Sequence, residues 1–261
     1  MSSTLIPAER RKLISELVHS QGVVKVAELR DRLGVSEITI RRDLESLEQE
    51  GVLERTHGGA IYSQRMRVEP LYTDKDRLYR LEKEAIGRAA AALVQDGDTL
   101  LINSGSTTFQ VIRHLCLAGK QNLKIITSNM SAAGQMRDCD LELIFIGGSF
   151  RWPSNSLVGP LAVMTLEQVN ANKTFIGVDG VSARYGLTTP IVQEAEIARL
   201  MIERTHGPVI VVADHSKLGV VADFVTAPVD KVDVLVTDEG FDEEYRAELE
   251  ERGVEIIVAS M

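Results

Sequence analysis

One run, Val35-Ser36-Glu37-Ile38-Thr39-Ile40-Arg41-Arg42-Asp43-Leu44, constrains this chain more than any other. Ser36 fits the N-cap of a helix, because its hydroxyl can accept a hydrogen bond from an otherwise unpaired backbone N–H. Glu37, next in line, suits the positive end of the helix dipole. Ile40, Leu44 and Leu47 recur at helical spacing and predict a face pinned to a small core. Thr39, Arg41 and Arg42 then fall within the first turns, where a helix entering the DNA major groove needs hydroxyls and guanidiniums. A solvated amphipathic surface helix would show the same pattern, so the flanks must decide.

Upstream, Arg11 to Gln21 reads as a helix with Leu13, Ile14, Leu17 and Val18 on one face, and Val24 to Leu33 reads as a second. Leu33-Gly34-Val35-Ser36 is a short glycine-containing turn, as helix-turn-helix geometry requires. Downstream, Gly51 can stop the helix and Val52-Leu53-Glu54-Arg55 begins a short strand. Thr56-His57-Gly58-Gly59 can turn, and Ala60-Ile61-Tyr62 can return as the second strand of a β wing. Residues 1–62 therefore predict a winged helix-turn-helix reader of double-stranded DNA. Its candidate contacts are Ser36, Thr39, Arg41 and Arg42 on the helix, with Arg55 and His57 on the wing.

Five stretches, Gly22 to Val24, Val26 to Leu29, Val35-Ser36, Thr39 to Leu44 and Arg55 to Ala60, resemble the DNA-binding domain of DeoR-type bacterial transcriptional regulators. The likeness covers nearly all of the first domain. It implies operator binding, usually to repress genes of carbohydrate catabolism, and a sugar-phosphate effector domain behind the reader.

Length agrees with two domains: 261 residues, 44% of them hydrophobic, leave room for one small and one larger core. No long apolar run predicts a membrane span, and the N-terminus lacks the apolar stretch of a secretory signal, so a cytoplasmic protein is expected. Cys116 and Cys139 make neither a disulfide framework nor a metal spacing, which predicts reduced thiols; no metal or cofactor is expected. The net charge of −9 is unevenly spread. Through Arg67 there are 11 basic and 10 acidic residues, leaving 18 and 28 for the rest. A near-neutral reader holds nonspecific DNA weakly as one protomer. A homodimer or homotetramer, placing readers on paired half-sites, would supply the missing affinity.

Residues 63–76 are polar and contain Pro70, which predicts a linker, and 77–261 predict an α/β effector-binding and oligomerisation domain. Arg77 to Val94 reads as a helix with Ala85, Ile86, Ala89, Ala90 and Leu93 on its apolar face. Strand candidates follow at Leu100 to Ile102, Lys124 to Ile126, Leu143 to Ile146, Thr174 to Val178, Val209 to Val212, Val232 to Val236 and Glu255 to Val258. Short, nearly continuous β-branched runs suit strands buried on both faces of a mostly parallel sheet, with helices as right-handed crossovers.

Ligands of such sheets collect beyond the carboxyl ends of the strands. The first strand runs into Asn103-Ser104-Gly105-Ser106-Thr107-Thr108, small and hydroxylic residues before a helix, which make an anion cradle or an ordinary N-cap. The next ends offer Ser128 and Asn129, then Gly147 and Gly148, then a loop in which Arg151 suits phosphate and Trp152 a sugar face; turn and packing roles explain these equally well. Asp179-Gly180 ends the fourth strand, Glu194 opens the following helix, and Lys217 brings a positive charge that Asp214 can orient.

This half, too, is similar to the DeoR family, in Gly105 to Thr108, Gly147-Gly148, Ser156 to Gly159, Asp179-Gly180, Gly186 to Thr189, Glu194 and Asp214 to Lys217. The family's effector domain resembles ribose-5-phosphate isomerases and coenzyme A transferases in fold. The likeness implies a phosphorylated sugar or sugar alcohol seated on Ser106, Thr107 and Thr108, with Asp179, Glu194 and Lys217 reading its other end. The alternative is an active sugar-phosphate isomerase with a DNA-binding appendage, for which the same three residues offer acid–base groups. Against it, Asp179-Gly180-Val181-Ser182 lacks the fuller Asp-Gly-Ala-Asp signature, and no lysine-glycine-rich segment follows. The expectation is a sensor without turnover.

Overall fold

The computed structural model describes residues 6–21, 23–49, 52–56, 58–62, 65–66, 69, 71–139, 141–241 and 243–261. The reader comprises α1 (Pro7–Gln21), β1 (Val23–Lys25), α2 (Val26–Leu33), α3 (Glu37–Gln49), β2 (Leu53–Arg55) and β3 (Gly59–Tyr62). Strand β3 lies between β1 and β2, antiparallel to both, which makes the expected wing. One expectation needs correction: Val24 does not start a helix. Val23 and Val24 are β-branched and pair with Ile61 and Ala60, so α2 begins only at Val26. Gly59 makes that pairing possible, since a Cβ there would stand 2.0 Å from the Val24 carbonyl oxygen.

Gly34, at a φ of 67°, caps α2 and turns the chain into α3. Ile14, Val18, Leu29, Ile40, Leu44, Leu47 and Leu53 fill the reader's core. Beside it, Arg10 donates from Nε and Nη2 to the two Asp43 oxygens at 2.5 and 3.1 Å, with both side chains buried.

After β4 (Arg65–Met66) come α4 (Tyr72–Arg77) and α5 (Arg80–Ala92). The helix expected over Arg77 to Val94 is α5, which starts three residues later, and α4 precedes it as a separate helix. They part at Leu78 and Tyr79, the latter left-handed at a φ of 51°, and the first begins inside the stretch read as linker.

The larger domain continues through β5 (Thr99–Ile102), α6 (Ser106–Leu117), β6 (Lys124–Thr127) and β7 (Glu142–Phe145). A hairpin, β8 (Ser149–Arg151) and β9 (Ser156–Val158), leads to α7 (Pro160–Leu166) and β10 (Lys173–Gly177). Then follow β11 (Gly180–Ser182), β12 (Gly186–Thr189), α8 (Val192–Glu203) and β13 (Val209–Val212). Last are β14 (Val221–Ala222), β15 (Phe224–Ala227), β16 (Val234–Asp238), α9 (Glu243–Glu250) and β17 (Glu255–Ala259). The connector is paired to this domain, β4 lying parallel to β14.

Seven strands form one parallel sheet in the order β17-β16-β13-β10-β5-β6-β7, all within two residues of the stretches expected. Alternate side chains feed two cores: Leu101 and Ile176 on one face, Leu100, Ile102 and Phe175 on the other. From β5 the chain winds one way and from β10 the other, so the order reverses between them. A crevice opens at the carboxyl ends of such a pair.

Cys116 and Cys139 correct a second expectation: they form a disulfide, with Cα atoms 5.0 Å apart. Cys116 sits in the last turn of α6, and Cys139 follows a 3-10 helix, Met130–Asp138, that packs against it. Neighbourhood across that packing is a tertiary fact that cysteine spacing does not carry. No described helix is long and apolar enough to cross a membrane.

Candidate effector cleft and DNA-reading helix

Asn103, at the end of β5, ties the two diverging strands together. Its Nδ2 donates to the Gly177 carbonyl and its Oδ1 accepts from the Gly177 N–H, both at 2.8 Å. Above this bracket lies a solvent-open cleft. Of the expected residues, Ser104, Gly105, Ser106, Thr107, Ser128, Asp179, Glu194 and Lys217 line it. The first turn of α6 enters with Ser106, so its unpaired N–H groups share the cleft with the hydroxyls of Ser106 and Thr107.

Five other expected residues shape the walls without lining them. Thr108 turns its hydroxyl to the carbonyls of Asn103 and Gly105, at 2.9 and 3.0 Å. Asn129 donates to the Gly105 carbonyl and caps the 3-10 helix through Ser131. Gly147 and Gly148, at φ of 74° and 101°, turn the chain toward the β8–β9 hairpin. Gly180 allows close backbone approach, since a Cβ there would lie 2.2 Å from the Val220 carbonyl oxygen.

Arg151 differs from expectation more sharply. Its guanidinium holds both Glu69 oxygens at 2.5 Å and Glu194 Oε1 at 3.1 Å, so it is engaged by carboxylates rather than open to phosphate. Trp152 is 65% exposed and stands outside the cleft wall. Nor does Asp214 orient Lys217: its Oδ1 accepts from Ser216, while its Oδ2 lies 3.9 Å from Lys83 Nζ.

Lys83, Lys75 and Tyr72 line the cleft unannounced. Lys83 is buried and donates to the carbonyls of Leu78 and Lys75, the former at 2.7 Å. It shares a helix face with Ile86 and Ala90, a lysine on an apolar stripe, which is the signal that marks it. Burial pushes its ammonium pKa down, against the pull of Asp214. Lys75 places Nζ 2.5 Å from Asp179 Oδ1. Burial pushes the Asp179 carboxyl up, but Lys75, with Lys217 and the Thr189 hydroxyl, holds it below the ordinary value. At Glu194 burial wins: its carboxyl titrates above the ordinary value despite a hydrogen bond from Ser154, with Asp179 adding to the rise. The cleft thus joins a hydroxyl-rich helix start and three lysines to two carboxylates whose titrations are shifted in opposite directions.

At the edge, His215 donates its N–H to Asp238 Oδ1 and places Nδ1 beside Oδ2, both at 2.7 Å. The Asp238 hydrogen bond raises the imidazole pKa. Stability from this pair is therefore complete below the unfolded value of about 6.5 and is lost as pH rises through the higher folded value. In Asp238→Asn, an NMR titration of His215 should move to lower pH; an unmoved titration would contradict the pairing.

In the reader, Ser36 Oγ accepts from the Thr39 N–H at 3.3 Å and shares a hydrogen bond with the Thr39 hydroxyl. Arg41 and Arg42 are exposed, as is Ile38 at 67%, an apolar residue that periodicity leaves unassigned. Arg55 lines a separate crevice with Arg184, Glu248, Glu251 and Arg252 of the larger domain, apart from the reading-helix arginines. His57 lies outside the described residues.

A family model for the DeoR-like helix-turn-helix domain matches residues 10–66, and one for the DeoR C terminal sensor domain matches residues 79–239. The chain belongs to the DeoR family of transcriptional regulators. This DeoR-family regulator is 34% identical over 253 residues to the HTH-type transcriptional regulator GlpR of Haloferax volcanii, covering 97% of this chain and 98% of that one. It is 32% identical over 254 residues to the putative aga operon transcriptional repressor of Escherichia coli O157:H7, covering 96% and 93%. It is also 32% identical over 236 residues to the transcriptional repressor AccR of Agrobacterium fabrum, covering 89% and 90%. Among solved structures, ribose 5-phosphate isomerase A of Methanocaldococcus jannaschii aligns over 52% of this chain and 53% of its own at 18% identity, with a TM-score of 0.38. The eIF2B delta of Chaetomium thermophilum aligns over 78% and 62% at 15% identity, with a TM-score of 0.42. Tyr72 and Lys75 fall between the two family matches, yet both line the cleft.

Proposed function

We propose that this regulator represses genes of carbohydrate catabolism, and that a phosphorylated sugar or sugar alcohol in the β5–β10 cleft sets its affinity for operator DNA. One observation carries the reading. At the point where the strand order reverses, the cleft gathers N–H groups, hydroxyls and lysines, all suited to a phosphate, together with Asp179 and Glu194, which suit sugar hydroxyls. In this reading a homodimer or homotetramer presents Ser36, Thr39, Arg41 and Arg42 to paired half-sites. Effector and operator then change each other's affinity by one common factor.

Turnover as an isomerase fits the cleft less well. Asp179 is ion-paired to Lys75 and held ionised at low pH, which makes it a weak proton acceptor.

Calorimetric titration of the full chain tests this reading, because Trp152 stands off the cleft wall and reports poorly on its contents. The probes are ribose 5-phosphate, fructose 6-phosphate, glucose 6-phosphate and glucitol 6-phosphate, with the unphosphorylated compounds as controls. We expect saturable binding of at least one phosphate, no binding of its parent sugar, and no product. Lys217→Ala or Ser106→Ala should weaken that binding roughly tenfold or more while operator affinity stands. Arg41→Ala should do the reverse, weakening operator binding by about 5- to 150-fold. If all four phosphates fail to bind the wild-type chain, the proposed effector class is wrong.

A further inference from the structure

We propose that the connector between reader and sensor is a strap, latched onto the effector cleft by two ion pairs and released when a ligand engages the cleft's carboxylates. This rests on the effector reading above and supplies the route by which the cleft reaches the reader.

The first latch is Lys75 on Asp179, between residues 104 positions apart. The second is Glu69, held by both guanidinium arms of Arg151, whose Nη1 also touches Glu194. The sensor ends of the latches are therefore Asp179 itself and Arg151, which rests on Glu194, and Asp179 and Glu194 are the two acidic residues lining the cleft. Side-chain exposures of 17% and 10% for Lys75 and Asp179, and of 11% and 21% for Glu69 and Arg151, keep water from screening either pair fully.

Motion at one end of the connector is restrained. Lys83 donates to the carbonyls of Lys75 and Leu78, which ties the end of α4 to α5 beside the left-handed Tyr79. Helix α4 is thus a short arm, anchored at its C-terminal end and latched along its side. Six residues separate Tyr62, the end of the wing strand β3, from Glu69. Two of the six, Arg65 and Met66 of β4, pair with β14, so a shift of Glu69 reaches the wing when that two-residue pairing gives way with the latches.

A polyol phosphate competes with both latches together. Its hydroxyls need the oxygens of Asp179 and Glu194, and its phosphate draws Lys75. Such a ligand binds the unlatched arrangement better, and that difference in affinity is what a population shift requires.

The test uses the full chain and a duplex that the wild type selects from a random pool. Without any sugar phosphate, Glu69→Gln/Lys75→Met should change operator affinity at least about fivefold, the low end of allosteric couplings. Asp74→Asn, exposed on the same short helix and part of neither latch, should stay within roughly twofold of wild type, since surface changes away from such contacts are near neutral. In Glu69→Gln, hydrogen exchange of amides 72–77 should accelerate while the sheet amides stay as protected as in wild type. Wild-type operator affinity in the double variant, or unchanged exchange in Glu69→Gln, overturns the strap even where the sugar phosphates bind. Should none of the four phosphates bind while both variants behave as stated, the effector class fails and the strap stands.

Discussion

Asp43→Ala should abolish operator binding by unfolding the reader while the sensor domain stays folded. Arg10 and Asp43 are 8% and 6% exposed at their side chains, joined by two hydrogen bonds. Removing one partner of a buried pair leaves the other charged without compensation, which costs about 3–5 kcal/mol. A core as small as the reader's supplies a net stability of only about 3–5 kcal/mol. The loss is therefore as large as the whole. Urea unfolding followed by circular dichroism should show the reader's share of helix already missing at zero denaturant and the sensor's transition unmoved. Arg10→Met/Asp43→Leu, which replaces both charges together with apolar side chains, should fold. A native reader in Asp43→Ala would show that the pair contributes little.

Lys83→Met should destabilise the sensor by a similar amount, about 3–5 kcal/mol, because Asp214 is fully buried and Lys83 is the cation beside it. Methionine matches the lysine stem in bulk, so packing changes little and the loss reports on charge and on the two carbonyls that Lys83 caps. In Lys83→Met/Asp214→Asn part of the stability should return, since the orphaned carboxylate is gone. A single variant as stable as wild type would mean that the Lys83–Asp214 pair contributes little.

Local signals made most of the fold legible. Ser36, Gly34 and the Ile40, Leu44, Leu47 stripe mark α3 within a dozen residues, and each sheet strand is a short β-branched run that needs no partner to be recognised. The cleft was legible to the extent that its groups follow strand ends: Ser104 to Thr107, Ser128, Asp179 and Lys217 all do. Contacts that join distant segments were not. Glu69 and Lys75 lie in a polar stretch whose composition is that of a linker, and nothing local shows that Arg151 and Asp179 await them. Arg151 suits a phosphate or plain solvent equally well in sequence, because a lone arginine near a sheet edge cannot reveal two carboxylates from elsewhere. The glycines at 147, 148 and 180 were ambiguous for the same reason: a turn and a ligand contact need the same missing side chain.

The disulfide has a mechanical consequence. Between Cys116 and Cys139 runs a covalent ring that contains all of β6, a strand hydrogen-bonded on both sides in the sheet and followed at once by Ser128 of the cleft. A segment inside such a ring cannot be drawn out of the sheet alone, because its two ends are the last turn of α6 and the end of the 3-10 helix. Peeling β6 away would drag both with it, and with them Asn129, whose amide holds the Gly105 carbonyl at the start of α6. Strand, helix and the turn at 104–107 therefore open or stay closed as one cooperative unit, and the start of α6 is held in place from the far end of its own helix.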